Sequence, residues 1–465
     1  MTPPPQSTDG ATGRAAAAQG RPADSYPTPA SAWWIVIVLT IAYVFSFIDR
    51  QILTLLVAPI RRDLQITDLQ MSYLLGFSFA IFYSVFGLPL GRAADRLSRR
   101  GLVAWGMVLW SGMTALCGVA GVYWQLFLAR MGVGVGEAAL SPGAYSLIAD
   151  CFPPERRSAA LSVYSSAIYI GGGIALLLGG ILVKLAGTAQ VVLPLVGAVH
   201  PWQVVFFAVG VPGLLAALLL LTFKEPMRRG PGAGKDGAVL HVPFAEVIAY
   251  IKSNRLTVFC HHFGFALMAM GGYAVTAWGP TLFQRHWGWT AGESGIRLGI
   301  GGVLFGATGC WFGGWYASRL AKRGVVDADM RVGSIGAIVA MVLYLSYVLA
   351  PSAWTMFAIT SVGLFFSAFP WGIAAAALQR IMPNPMRGQA SALYLFIVSL
   401  VGLGLGPSAV AFFTDKVFHL DASVYMSLCI VTTATYGAAA VLLRVGLKPF
   451  RRSVERLDAW RPTQA

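Results

Sequence analysis

The chain has 465 residues, of which 57% belong to the hydrophobic set and only 11% are charged, with a mean hydropathy of +0.67. A soluble globular protein carries about 25% charged residues, so there is too little polar surface here to cover a water-soluble globule of this size. A soluble fold and a disordered chain are both excluded, and a membrane protein is implied. The net charge of +15 reads as basic loops facing anionic headgroups on one side of a bilayer, not as a nucleic-acid surface. The five cysteines (Cys117, Cys151, Cys260, Cys310, Cys429) scatter along apolar segments without disulfide or metal-ligand spacing, so buried free thiols are expected.

Residues 1–31 are rich in Ala, Pro, Thr and Gly and read as a disordered tail. A hydrocarbon core about 30 Å thick takes roughly 20 apolar residues as a helix. That ruler gives twelve spans, at 33–57, 69–91, 102–120, 124–149, 160–183, 203–223, 256–281, 296–320, 332–350, 353–378, 390–413 and 424–446. The apolar stretch 185–199 is short and holds Gly187, Pro194 and Gly197, which makes it part of a loop. With both termini in the cytoplasm, 26 of the 34 basic residues fall in inner segments and six in outer loops. The expected organisation is an N-terminal bundle over 32–223, a cytoplasmic linker with a surface helix over 224–255, a C-terminal bundle over 256–446 and a basic cytoplasmic tail over 447–465. The linker contains the flexible run Arg228-Arg229-Gly230-Pro231-Gly232-Ala233-Gly234.

Six spans on each side of the linker invite a search for a repeat. After span two the chain reads Gly91-Arg92-Ala93-Ala94-Asp95-Arg96-Leu97-Ser98-Arg99-Arg100, and after span eight Gly314-Trp315-Tyr316-Ala317-Ser318-Arg319-Leu320-Ala321-Lys322-Arg323. Pro154-Glu155-Arg156-Arg157-Ser158-Ala159 after span four likewise matches Pro385-Met386-Arg387-Gly388-Gln389-Ala390 after span ten. The halves are related.

The Gly91-to-Arg100 segment resembles the signature between helices two and three of the major facilitator superfamily, departing from it at Ala93 and Ser98. Arg130-Met131-Gly132-Val133-Gly134-Val135-Gly136-Glu137-Ala138 resembles that superfamily's helix-four signature. Phe47-Ile48-Asp49-Arg50-Gln51-Ile52-Leu53 and the Arg130…Glu137 spacing are similar to the Spinster family. The resemblance implies an all-α membrane protein with twelve transmembrane helices in two pseudo-symmetric six-helix bundles and both termini cytoplasmic. It further implies alternating access and proton-linked movement of amphipathic organic molecules, lysolipid-like ones among them.

Four ionisable residues lie well inside spans: Asp49 and Arg50 in the first, Arg130 and Glu137 in the fourth. A charge at such depth costs at least about 2.5–3.5 kcal/mol and so faces protein or water. Residues seven apart differ by about 20° around a helix, which puts Arg130 and Glu137 on one face. The expectation is a proton switch: ionised Asp49 pairs with Arg130, and protonation frees Arg130 to reach Glu137 or an anionic substrate. Arg50, about 100° from Asp49 around the helix, is expected to anchor toward a neighbouring helix or the substrate's acidic group. The bland reading is a static buried ion pair that fixes helix packing.

Gly91, Asp95, Arg96, Asp150, Arg156 and Arg157 are expected to form a cytoplasmic gate latch, while Arg99 and Arg100 only set topology. The second half offers no deep ionisable residue in spans seven, ten or eleven, but its aromatics include Tyr273, Trp278, Phe369, Trp371 and Tyr394 as candidate cavity residues. Of these only two or three are expected to line it, since aromatics in membrane helices mostly pack or anchor. Glycines 171–173 and Gly402, Gly404 and Gly406-Pro407 fit close helix crossing. His261-His262 have no metal spacing and read as interfacial, and no phosphate loop, dinucleotide fingerprint or metalloprotease motif occurs. The expected function is secondary active transport of an amphipathic or organic-anion small molecule coupled to protons, without enzymatic activity, cofactor, metal or nucleic acid. The protein is expected as a monomer in the lipid bilayer of a cell inner (plasma) membrane. A passive facilitator of the same solutes and a non-transporting membrane sensor on the same fold are the alternatives.

Overall fold

A computed structural model describes residues 26–186, 191–193, 197–228, 244–383 and 386–459. Most of the expected N-terminal tail, the Gly230–Gly234 run and the end of the C-terminal tail lie outside the described residues. The chain is helical almost throughout, because backbone polar groups in hydrocarbon must be satisfied within the segment.

The first half comprises α1 (Pro29–Gln51), which tightens into a 3₁₀ turn at Ile52–Leu55, and a short α2 (Val57–Leu64). Next come α3 (Asp68–Ser72), a wide π turn (Tyr73–Phe77) and α4 (Ser78–Arg96), forming one column. They are followed by α5 (Arg99–Cys117), α6 (Tyr123–Glu137), α7 (Leu140–Cys151) and α8 (Pro154–Ala186). Strands β1 (Val191–Leu193) and β2 (Gly197–Val199) pair antiparallel, so the described residues after α8 in the 185–199 stretch are extended and not helical. Then α9 (Pro201–Ala216) continues as a 3₁₀ stretch to Thr222.

α10 (Phe244–Ser253) is the expected surface helix; Val247 packs on Met386, and the Tyr250 hydroxyl donates to the Ile381 carbonyl at 2.9 Å. The second half runs α11 (Arg255–Trp287), α12 (Ala291–Gly301), a π turn (Gly302–Gly306) and α13 (Ala307–Lys322). It continues with α14 (Ala328–Leu345), α15 (Ala353–Ser367), α16 (Phe369–Gln379) and α17 (Arg387–Ile397). After α17 come a π stretch (Val398–Leu405), α18 (Gly406–Phe412), a π turn (Phe413–Phe418) and α19 (Val424–Val445). Ten of these helical columns are long and apolar enough to cross a membrane among the described residues. α5 and the broken α6–α7 pair occupy the places of the third and fourth expected spans.

Two expectations about the ends change. The first helix begins at Pro29, where the Thr28 side chain caps it, ahead of the expected residue 33. The supposed basic tail is instead α20 (Leu447–Ala459), held by fully buried Phe450 and by Ser453, whose hydroxyl lies 2.7 Å from that of Thr257 and 2.8 Å from Asn254 Oδ1.

The repeat seen in the sequence is a repeat of packing. α1 lies on α8 and α5 on α9 in the first half; α11 lies on the Val398–Leu405 stretch and α14 on α19 in the second. The halves meet along two seams, α8 with α12 and α4 with the Val398–Leu405 stretch. Both are backbone-to-backbone. A Cβ on Gly295 would stand 2.4 Å from the Leu176 carbonyl oxygen, and one on Gly76 2.1 Å from that of Leu403. All four π segments lie in columns that form these seams. The described connections at 56–67, 197–200, 288–290 and 419–423 share one end of the molecule (the α2 end); those at 97–98, 152–153, 223–228 and 380–383 share the other (the α10 end).

Overpacking a core costs about 1–3 kcal/mol. A Cβ on Gly309 would fall 2.1 Å from the Phe365 carbonyl oxygen, whereas one on Gly112 meets nothing within 4 Å. Gly309→Val is expected to lower Tm in detergent markedly and Gly112→Ala to leave it unchanged, as read by scanning fluorimetry.

Candidate functional site

The deepest charges gather where α1 crosses α6. Gly134 and Gly136 let α6 come close to its neighbours: a Cβ would stand 2.8 Å from the Phe79 carbonyl oxygen and 2.7 Å from the Trp110 nitrogen, respectively. α6 then ends at Glu137, beside α1. Glu137 Oε2 accepts from Arg50 Nε at 2.6 Å and from Ser46 Oγ at 2.5 Å, and lies 2.5 Å from Arg50 Nη2. The guanidinium also lies over Phe79, 4.4 Å from the ring centroid, with Phe47 at 5.0 Å and Tyr83 at 5.1 Å. Aromatic faces attract a desolvated cation. The Glu137 side chain is fully buried, while that of Arg50 keeps 15% exposure, so the arginine is the member that can meet an incoming molecule.

The expected Asp49–Arg130 ion pair is not formed. Arg130 Nη1 donates to the main-chain carbonyl of Asp49 at 3.1 Å, and Nε to the Leu74 carbonyl at 3.3 Å. The helix explains the exchange of partners: turning Arg50 toward Glu137 carries the Asp49 side chain about 100° away. The π turn helps, because the Ser78 N–H reaches the Tyr73 carbonyl and thereby removes the α-helical donor from Leu74. Asp49 Oδ1 and Arg130 Nη2 are both buried without a hydrogen-bond partner. Asp49, Arg130 and Glu137 are each about 1% exposed. Arg50 does anchor to a neighbouring helix, as expected.

Beside this site, between the halves, is a cavity of about 140 Å³. Phe47 and Gln51 from α1 line it, as do Tyr273 and Trp371, whose rings meet edge to face at 6.1 Å. Three of the five aromatics proposed for it do not reach it. Trp278 is buried and donates to the Pro407 carbonyl at 2.9 Å. Phe369 packs among Phe312, Phe365 and Phe366, and Tyr394 stands edge-on to His261 and His262. The two histidines are buried, not interfacial: His261 Nε2 lies 2.8 Å from the Ala374 carbonyl and the two Nδ1 atoms are 3.2 Å apart. None of the five cysteines forms a disulfide; four are buried and Cys310 is half-buried.

At the α2 end, ion pairs join the halves. Buried Asp68 takes both Arg285 nitrogens, at 2.5 and 2.8 Å, and lies 3.1 Å from Arg61 Nε; Arg61 Nη1 reaches Asp421 at 2.6 Å, and the Leu69 N–H donates to Asp415 at 2.7 Å. Sequence reasoning counted Arg61 and Arg285 only as outer-loop charges. Nothing in their spacing marks the pairs that cross between the halves, since Arg285 and Asp68 are 217 residues apart and Arg61 and Asp421 are 360 apart.

At the α10 end the arrangement differs from the expected latch. Arg99, assigned to topology alone, is 1% exposed and is the hub. It pairs with Asp150, reaches Glu225 at 2.9 Å and Ser146 Oγ at 3.0 Å, and donates to the Pro226 carbonyl at 2.9 Å. Asp150 and Ser146 belong to the first half and Glu225 and Pro226 to the segment that follows it; none belongs to the second half. The second half repeats the junction with the signs inverted: Asp327 holds Arg331 at 2.6 Å and Arg451 of α20 at 2.7 Å, while Asp329 lies 3.3 Å from Arg380. Among the other expected latch residues, Arg96 and Arg156 are exposed, and Arg157 donates to the Ala149 carbonyl at 2.9 Å. Gly91 has open space where a Cβ would go, and the Asp95 side chain lies outside the described residues.

Two related helical halves with columns long and apolar enough to cross a membrane, and a buried charge cluster beside a cavity between the halves, are the features of a multi-span membrane protein. The family model for the Major Facilitator Superfamily matches residues 39–407, and the chain belongs to that superfamily, a family of transporters and not of enzymes. Within it the chain is Spinster-like. It is 28% identical over 402 residues to protein spinster homolog 1 of Xenopus tropicalis, covering 82% of this chain and 73% of that one. The solved inward-facing, unoccupied structure of a bacterial homologue of the human lysosomal transporter Spinster superposes with a TM-score of 0.75 at 25% identity, covering 94% of this chain and all of that one. An MFS-type efflux pump of Mycolicibacterium smegmatis is 31% identical over 406 residues, 83% of this chain and 86% of the relative.

Removing the Asp68 carboxylate strips Arg285 and Arg61 of their shared partner. Asp68→Ala is expected to expose the seam beneath, where Ser72 and Ser408 hydroxyls lie 3.3 Å apart. A cysteine at 408 then reacts with an impermeant maleimide several-fold faster than in the Asp68 parent. Glu225 supplies a pH test at the other end. Burial pushes its carboxyl up, but hydrogen bonds from Ser98, Arg99 and Arg100 outweigh this and hold it below the ordinary carboxylate range. Its stabilisation is therefore complete above about pH 4.3, the ordinary glutamate value, and is lost as the pH falls through the lower folded value. The Tm difference between wild type and Glu225→Gln is expected to be constant near neutrality and to shrink below that pH.

Proposed function

We propose that the protein is a secondary active transporter that moves an amphipathic or organic-anion small molecule by proton-coupled alternating access. The reading takes α5 and α6–α7 as membrane spans beside the ten long apolar columns, for twelve in all. It puts the α10 end and both termini in the cytoplasm, because basic residues concentrate there, and the chain as a monomer in a cell inner (plasma) membrane.

The observation that carries it is the Arg50–Glu137–Ser46 contact beside a cavity. In this mechanism a substrate anion and the Glu137 carboxylate compete for one guanidinium. Protonation of Glu137 releases Arg50 to the substrate, so proton and anion load together; loss of the proton restores the ion pair and expels the anion. Asp49 and Arg130 each keep a polar atom without a partner, and Asp49 serves as a second proton acceptor whose ionised carboxylate draws in Arg130. A proton carried with a monoanion moves no net charge, so the pH gradient drives the cycle without ATP, at about 1.4 kcal/mol for each tenfold difference in proton concentration. With the α10 end read as cytoplasmic, the ion pairs that join the halves at the α2 end support an inward-facing reading of this conformation; the similar bacterial structure is inward-facing.

The test uses proteoliposomes and octane-1-sulfonate, an anion that stays ionised throughout the accessible pH range. Wild type is expected to accumulate it under an imposed pH gradient and to lose the accumulation with a proton ionophore. Glu137→Gln is expected to keep counterflow exchange but to lose gradient-driven accumulation by about tenfold, equivalent to ~1.4 kcal/mol. Undiminished gradient-driven accumulation in that variant refutes the coupling role.

A further inference from the structure

The cavity beside Arg50 contains glycines of two kinds. Gly173 and Gly306 are needed for packing: a Cβ would stand 2.1 Å from Val303 Cγ2 in the first case and 2.7 Å from the Tyr169 ring in the second. Gly172 on α8 and Gly302 at the start of the π turn after α12 also line the cavity, yet a Cβ on either meets nothing within 4 Å. Neither has a positive φ that would demand glycine. Inside a helix glycine costs roughly 0.5–1 kcal/mol relative to alanine, and at these two positions neither packing nor backbone conformation accounts for it. What their missing side chains leave is room within the cavity.

The remaining lining states what fills that room. The hydroxyls of Thr276, Thr360 and Ser367 are already committed to the protein: Thr276 donates to the Gly272 carbonyl at 3.1 Å, Thr360 to that of Met356 at 2.8 Å, and Ser367 to that of Leu364 at 3.1 Å. Few polar groups of the lining are left to meet a ligand: the Gln51 amide, the Tyr273 hydroxyl and the Trp371 indole N–H, set among the apolar side chains of Phe47, Leu176, Leu298 and Leu364. The Tyr169 hydroxyl is fully buried, with Cys310 beside it. A polyhydroxylated body would lose water from several hydroxyls and recover few bonds, at a cost of roughly 1–3 kcal/mol for each group left unpaired. An apolar body has no such cost.

We infer that Gly172 and Gly302 set the size limit for the apolar body of an anionic substrate, seated between α8, α11, the π turn after α12 and the α15–α16 column. This rests on the transport reading only for placing the anionic head at Arg50. The class is an organic anion with one compact apolar body, a ring system or a short alkyl chain, and not a sugar acid.

The test titrates full-length protein in detergent with 1-naphthalenesulfonate, methanesulfonate and D-gluconate, following tryptophan fluorescence, to which Trp371 at the cavity contributes, and Tm. Wild type is expected to bind 1-naphthalenesulfonate at least about tenfold more tightly than either other anion. Gly172→Leu and Gly302→Leu are each expected to weaken 1-naphthalenesulfonate about tenfold, leaving methanesulfonate and Tm unchanged. If a leucine variant does not fold, Gly172→Ala and Gly302→Ala give the same order of effect in a smaller step. Equal 1-naphthalenesulfonate affinity in both glycine variants and wild type overturns the inference, as does gluconate binding at least as tightly as the aromatic anion. Binding with the expected size pattern but without transport in proteoliposomes upholds the cavity assignment and rejects the transport reading alone.

Discussion

A carboxylate with no access to water and a guanidinium with only a little are held together by two short contacts inside an apolar bundle, with a serine hydroxyl as a third on the carboxylate, and much of the first half is arranged to permit this. Breaking a buried pair by removing one partner is costly, because the remaining charge has nowhere to go. The glycines of α6, the rings of Phe47, Phe79 and Tyr83 and the Ser46 hydroxyl each place or neutralise part of that pair. The pair ties α1 to α6 within one half, and only Arg50 retains exposure. Its electrostatics can therefore respond to whatever enters between the halves without loosening the bundle that holds it.

The two ends use charge in different ways. At the α2 end Arg285 and Asp68, and Arg61 and Asp421, bind one half to the other. At the α10 end the junctions centred on Arg99 and on Asp327 stay within their own halves, each joining the start of one column, the end of another or its neighbour, and the segment beyond the sixth. The inverted signs at corresponding places show that what the repeat retains is a complementary junction, not particular residue types. α20 completes the second junction as the Glu225 segment completes the first.

Much of the architecture was legible in the sequence because it rests on composition and periodicity. Apolar lengths located the columns, and the Gly91–Arg100 and Gly314–Arg323 motifs revealed the repeat. The depth of Asp49, Arg50, Arg130 and Glu137 was also readable, since a charge within a span stands out against its neighbours. Which of them touch was not readable. A rotation of 100° along α1 decides whether Arg50 or Asp49 meets α6, and a wide turn at Tyr73–Phe77 moves the carbonyl that Arg130 uses. Trp278, Phe369 and Tyr394 misled for the same reason: a large apolar ring looks alike in sequence whether it faces a cavity or fills a core. Arg99 misled in the other direction, because in sequence a buried arginine at a helix start is indistinguishable from one that faces headgroups.

The π segments deserve a mechanical reading. Each inserts extra chain into an otherwise regular coil, so the residues beyond it are rotated relative to where an α-helix would place them, by about 100° for one added residue. They lie in columns that pack against the opposite half, and at three of the four a glycine within or next to the segment (Gly76, Gly306 and Gly406) has no room for a Cβ. A rod wound this way stores slack. On the alternating-access reading proposed above, a column takes up that slack by rewinding locally as the opposite half tilts away, turning its contact surface while its far end stays fixed in its own bundle, much as a flexible shaft turns inside a clamped sleeve.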